Sequence, residues 1–161
     1  MRVLLAGCLA ILISTTAFAA DWKDQDEPAS KSKGAAVETK DGVFGRYCRE
    51  ESADRASEYT FDVAKSGTCP EQTVVTLTID GQSKSYQFDC YGRDGGGALL
   101  VLTADSRNER TVTDVADIDD RIQRAQKPDM SIKTNLTKRP MIFSLASAAV
   151  KMQRILKLCQ Q

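Results

Sequence analysis

The sequence predicts an α+β fold: an antiparallel β-sheet with one covered face, packed by a C-terminal amphipathic helix, with two disulfides. Three observations point there. Apolar and polar residues alternate at the two-residue period of half-buried strands through much of residues 59–90. The final stretch, SLASAAVKMQRILKLCQQ, changes to helical period. Four cysteines, Cys48, Cys69, Cys90 and Cys159, follow an N-terminal segment that reads as an export signal.

That segment has the three parts of a secretory signal peptide. Arg2 is the only charge before Asp21, Val3 to Ile13 is apolar, and Ala17-Phe18-Ala19 forms an A-x-A site. The apolar run is too short to span a bilayer, which takes about 20 residues. Leu5-Ala6-Gly7-Cys8 resembles a lipobox, but the apolar segment continues past Cys8 to the better-placed site. Cleavage is expected near Ala19 or Ala20, making residues 1–20 the signal peptide and the mature chain periplasmic or secreted. An exported chain with an even cysteine count reads as two disulfides, and four cysteines allow three pairings.

Residues 21–41 are small, polar and charged apart from Trp22. Such composition buries too little to offset its ordering entropy. A flexible arm is expected, with Trp22 loose or docked back, and order beginning near Val43. Residues 42–161 then form a single disulfide-bonded α+β domain.

In EYTFDV, Tyr59, Phe61 and Val63 alternate with Thr60 and Asp62. In TVVTLTIDGQSKSYQFDCY, Asp80-Gly81 suits a two-residue type I′ hairpin turn, which needs positive φ at both positions. Pairing across it sets Ile79 opposite Gln82, Leu77 opposite Lys84 and Val75 opposite Tyr86. Val75, Leu77, Ile79, Tyr86, Phe88 and Cys90 then share the covered face. Ala98–Ala104 is apolar on both faces and reads as a central strand. Thr111–Thr113 suits a short returning strand. Val115, Ile118, Ile122 and Ala125 next fall at helical spacing, with Asp residues in the early turns and Lys127-Pro128 as the stop. Two short strands follow, around Met130–Leu136 and Met141–Phe143. In the last helix Leu145, Ala148, Ala149, Met152, Ile155, Leu156 and Cys159 make one apolar stripe, with Ser144 or Ser147 as N-cap. Laid over the hairpin's apolar face, that helix would bring Cys159 to Cys90 and leave Cys48 with Cys69.

Candidate chemistry is sparse. The chain has no histidine, which excludes Ser-His-Asp, Cys-His and His-metal sites. No catalytic residue, cofactor site or metal site is assigned, and no cofactor is expected. Glu50, Glu51, Glu58 and Asp62 are available carboxylates, but charged residues are mostly solvated surface. Ser30-Lys31-Ser32-Lys33 has S-x-x-K spacing without its companion motifs. Gly95-Gly96-Gly97 precedes a strand, so it is a turn rather than a phosphate loop. Asp114, Asp117, Asp119 and Asp120 fail the EF-hand pattern at Ile122 and Pro128. They suit the start of a helix instead.

Charge is distributed unevenly. Residues 121–161 carry nine Lys or Arg against one acid, whereas residues 21–120 carry 12 against 21. Such asymmetry suits contact with an anionic surface, through Lys151, Arg154 and Lys157 on the last helix with Lys133, Lys138 and Arg139 extending the patch. The alternative is that the basic tail packs beside the acidic half and neutralises it.

The layout of signal peptide, cysteine-bearing strands, Phe143-Ser144-Leu145 and a closing helix through Ala148-Ala149 to Cys159 resembles the invasion-associated locus B family of exported alphaproteobacterial proteins. Ala146-Ser147 stands where members often carry Gly. The resemblance implies an envelope-associated protein without enzymatic chemistry and transfers no functional residues. The expectation is an exported binding protein that contacts an anionic envelope component or an acidic protein, with no nucleic acid and no transmembrane segment in the mature chain. The other expectation is a periplasmic inhibitor or immunity protein that blocks a hydrolase with a loop such as Tyr91–Gly97.

Overall fold

The computed structural model describes residues 20–27, 31–51, 54–64, 66 and 68–159. Residues 1–19, with Cys8 and the Ala17–Ala19 site, lie outside them, as do Ser30 and the side chains of Glu50 and Glu51. Nine described strands form one antiparallel sheet: β1 (Lys23–Glu27), β2 (Ser32–Thr39), β3 (Gly42–Glu51), β4 (Asp54–Val63), β5 (Gln72–Ile79), β6 (Gln82–Gly92), β7 (Ala98–Ala104), β8 (Asp129–Thr134) and β9 (Met141–Ser144). Helix α1 (Glu109–Arg124) lies against β7 and β4, and α2 (Ala148–Cys159) lies against β2, β3 and β4. Strand order is β1-β2-β3-β4-β7-β6-β5-β8-β9. The fold is α+β, and no described helix is long and apolar enough to cross a membrane.

The Asp80-Gly81 hairpin follows the expected register, from Ile79 opposite Gln82 to Val75 opposite Tyr86. Its turn residues have φ of 54° and 81°, the left-handed values a type I′ turn requires. Val75, Leu77, Ile79, Tyr86 and Phe88 are buried on the helix side. The opposite face carries hydroxyl pairs, Thr76 with Ser85 at 2.9 Å and Thr78 with Ser83 at 2.8 Å. Ala98–Ala104 is central, hydrogen-bonded to β4 on one side and β6 on the other.

The core shows that the sheet rolls. Phe44 of β3 stacks on Tyr59 of β4 with centroids 5.4 Å apart, and it also meets Phe143 of β9 at 6.2 Å. Those strands are far apart in the sheet order, so the β9 end must curve back toward β3 to bring the rings together. Trp22 bridges the remaining seam: its indole N–H donates to the Ser144 carbonyl at 2.9 Å, and its ring meets Phe44 edge-on at 6.1 Å.

Four expectations need correction. Residues 21–41 are not an arm; they contain β1 and β2, and Trp22 is buried. Their inner-facing residues, Trp22, Ala35 and Val37, are few and mostly small, so the apolar signal is weak. Strand pairing and one tryptophan supply what composition lacks. Thr111–Thr113 is not a strand, because α1 begins at Glu109. The helical stripe Val115–Ile118–Ile122 extends back to partly buried Thr111, whose backbone N–H donates to the Asn108 carbonyl.

The cysteines pair as Cys48–Cys159 and Cys69–Cys90, not as Cys90–Cys159 with Cys48–Cys69. Helix α2 crosses β2–β4 rather than the β5–β6 hairpin, so Cys159 meets Cys48. The Cys90 N–H bonds to the Glu71 carbonyl, continuing the β5–β6 pairing toward Cys69. Finally, neither Ser144 nor Ser147 acts as a side-chain cap. The Ser144 hydroxyl accepts from Ala146 N–H in the turn before α2, while Ser147 takes φ 59° and offers its carbonyl to Lys151.

If Trp22 is part of the core, Trp22→Ala should lower unfolding free energy by about 3–5 kcal/mol, the usual cost of deleting a buried aromatic. A tryptophan on a loose arm would leave the urea midpoint unchanged.

Candidate functional site

The six predicted basic residues do not form one face. On α2, Lys151 and Arg154 point at the inner-facing carboxylates of β1. Lys151 Nζ lies 2.9 Å from Asp24, and Arg154 bonds Asp26 at 3.0 Å and also pairs with Asp24. The alternation Trp22-Lys23-Asp24-Gln25-Asp26 explains why: a strand puts residues 22, 24 and 26 on one side. Trp22 plugs the core and the two aspartates reach the helix. The Asp24 carboxyl is held below the usual carboxylate range, chiefly by the Lys151 hydrogen bond and further by Arg154, against a smaller opposing effect of burial.

The other four are exposed, and among the described residues none of them has a carboxylate at salt-bridge distance. Lys157 ends α2. Lys133 projects from the outer face of β8 opposite Thr76. Lys138 and Arg139 lie in the β8–β9 connection. The starts of β3 and β9 lie close together, since a Cβ added at Gly42 would lie 3.3 Å from Met141 Sδ. Lys40 is exposed in the β2–β3 turn.

Several acids are not the solvated groups expected of them. Glu58 is buried and pairs with Arg49 at 2.9 Å. Asp62 pairs with Arg93 at 2.8 Å. The α1 aspartates do not complement the helix start, because the helix begins five residues before Asp114 and Glu109 is its first-turn acid. Asp114 and Asp120 pair with Arg110 and Arg124 along the helix. Asp117 accepts from Tyr86 and lies 3.0 Å from Lys84. Burial works against its charge, but the Tyr86 and Lys84 hydrogen bonds prevail and its carboxyl is lowered.

Asp119 is the group that sequence reasoning missed most completely. It is buried, and it receives a two-pronged bond from buried Arg46 at 2.9 and 3.0 Å. The Tyr59 hydroxyl donates to the same carboxylate at 2.6 Å. Arg46 spends its other donors on the Tyr47 and Glu58 carbonyls and the Ser57 hydroxyl. Burial is the largest single effect and disfavours the arginine's charge, but the Asp119 hydrogen bond and charge together with Tyr59 outweigh it, and the guanidinium pKa is raised. Burial and then Asp119 push the Tyr59 phenol well up. The cluster ties α1 to β3 and β4 through the Asp119 carboxylate.

Two further features face solvent. The Tyr91–Gly97 turn is exposed, with Tyr91 56% accessible. It is anchored by Cys69–Cys90, by Arg93–Asp62 and by an Arg93 N–H bond to the Gly97 carbonyl at 2.9 Å. On the outer side of the seam between β1–β3 and β9 lies an open groove of about 700 Å³, with Tyr47 and Ile142 among its lining. No family model, curated protein or solved structure matches the chain.

The pairing of β1 with α2 predicts an acid-side signature. Asp24 has a depressed pKa, so its contribution is present above the unfolded value near 4 and is lost as pH falls through the folded value. The stability gap between wild type and Asp24→Asn should be full at neutral pH, no more than about 1 kcal/mol for exposed pairs, and should close below about pH 4. Chemical denaturation across pH 2.5–7 measures it.

Proposed function

We propose that this is an exported, disulfide-stapled protein that works by binding an anionic partner rather than by catalysis, and that its contact is the β8–β9 region with Lys133, Lys138 and Arg139. The observation that carries the proposal is the division among the basic residues. Lys151 and Arg154 are engaged by Asp24 and Asp26, so the tail partly balances the acidic half, whereas the β8–β9 cations stay exposed. Exposed cations with no carboxylate at salt-bridge distance among the described residues retain their field for an incoming anion. The signal-like N-terminus, the two cystines and the likeness to invasion-associated locus B proteins support export and an envelope role.

Retention on a sulfated-agarose column tests the contact. Wild type should bind at low salt and elute as salt rises, since screening weakens exposed charges. Lys133→Glu/Lys138→Glu/Arg139→Glu should elute at markedly lower salt, while Lys157→Glu should change little. Unchanged elution of the triple variant would refute the assignment.

A second reading is favoured by one feature, the anchored Tyr91–Gly97 turn. A rigid loop with an exposed aromatic loses little entropy on docking, which suits an inhibitor of a hydrolase. A salt-tolerant stoichiometric complex with one enzyme, lost in Tyr91→Ala, would support it over the anionic contact.

A further inference from the structure

We infer that the outer face of β5, β8 and β9 docks on the surface of an anionic phospholipid bilayer, with Lys133 at the centre of the contact. This rests on the proposed cationic contact and names its partner.

Sheet geometry sets the layout. Lys133 is opposite Thr76 on β5, and Ser131 is opposite both Thr78 on β5 and Ile142 on β9. Side chains on one face recur at every second residue of a strand. Val74, Thr76 and Thr78 therefore share the outer face with Ser131, Lys133 and Ile142. With strands ~4.8 Å apart and ~7 Å between same-face neighbours, Val74 and Ile142 each lie about 8–9 Å from Lys133, at opposite corners. Both are exposed, at 54% and 58%. Lys138 and Arg139 follow in the same hairpin. Arg139 is three residues from Ile142, a chain reach of no more than about 11 Å.

Apolar and cationic side chains are thus interleaved on one face. A soluble polyanion would use the cations and gain nothing from a valine and an isoleucine held in water. A bilayer uses both: aliphatic side chains enter the boundary between headgroups and acyl chains, while ammonium and guanidinium groups meet the phosphates. Lys133 stands between the two aliphatics, where its methylene stem adds to the apolar contact and its charge extends to the phosphate layer. The hydroxyls suit the same layer. Thr76 pairs with Ser85 and Thr78 with Ser83. One hydroxyl of each pair donates to the other, which keeps its own proton for a phosphate or ester oxygen.

Acids mark the edge of the contact. Asp129 is the one acid among residues 129–142 and stands four positions from Lys133. It lines the seam groove together with Asp21, Glu38, Lys23 and Lys40. That groove is close to charge balance, so the docking face ends at Ile142.

The test is cosedimentation of the mature, disulfide-bonded protein with two kinds of vesicle: phosphatidylglycerol and phosphatidylcholine in equal parts, and phosphatidylcholine alone. Wild type should bind the anionic vesicles and not the neutral ones. Val74→Ser/Ile142→Ser should weaken vesicle binding tenfold or more and leave elution from sulfated agarose unchanged, because the cations remain. Lys133→Glu/Lys138→Glu/Arg139→Glu should lose both. Val150→Ser, at an exposed position on α2, should match wild type. All the substituted side chains are exposed, and an unchanged urea midpoint verifies that each variant is folded. Vesicle binding by Val74→Ser/Ile142→Ser within twofold of wild type would overturn the inference. So would a protein that sulfated agarose retains and vesicles do not. Either result leaves the cationic contact standing. Vesicle binding and agarose elution both unchanged in the triple reversal, or no binding to either matrix, would overturn the contact and the inference together.

Discussion

An arginine held in the middle of a covered sheet face is the constraint on which the rest of this molecule depends. Arg46 is 1% exposed, and a guanidinium so far from water is tolerable only if every donor is matched and its charge is met. Asp119 meets the charge, two strand carbonyls and Ser57 take the remaining donors, and Tyr59 finishes the carboxylate. The partners come from β3, β4 and α1, so one requirement ties three elements together. Helix α1 must present Asp119 over β3 and β4. The Tyr59 hydroxyl also lies 3.7 Å from Met152 Sδ, and Ser57 Oγ lies 3.9 Å from Cys159 Sγ. Helix α2 is thereby drawn to the same point and locked by Cys48–Cys159.

The other constraint is closure. A rolled sheet leaves a seam between its first and last strands, and unpaired edges invite unwanted pairing. Here the segment around β1 covers the seam: Trp22 enters the core, and Asp24 and Asp26 grip α2. The basic helix and the acidic first strand thus form an internal device. The exposed cations of the β8–β9 hairpin are what this arrangement leaves outside, and the anionic contact and the bilayer docking are built on them.

Elements governed by local rules were legible in the sequence. The Asp80-Gly81 turn, the inward set of the hairpin, the central strand Ala98–Ala104 and the apolar stripes of both helices follow from periodicity and turn chemistry. What depended on partners distant in the chain was not. Arg46 and Asp119 are 73 residues apart, and no spacing marks an aspartate in an acidic helix as the buried one. The W-x-D-x-D alternation of Trp22, Asp24 and Asp26 was visible, but without knowledge of α2's position it reads as solvated charge. The cystine pairing failed for the same reason, since it turned on which strands α2 crosses. The candidate site was partly legible: the excess of basic residues was apparent, but not which of them the fold would neutralise.

A double-mutant cycle on Arg46 and Asp119 tests the central claim most directly, with unfolding free energies measured for Arg46→Met, Asp119→Leu and the pair. The account predicts that Asp119→Leu alone costs about 3–5 kcal/mol, because it leaves a buried charge unpaired. The double variant should then lose less than the sum of the two singles by well over 1 kcal/mol. Additive losses, with Asp119→Leu costing under about 1 kcal/mol, would show that the pair does not organise the fold.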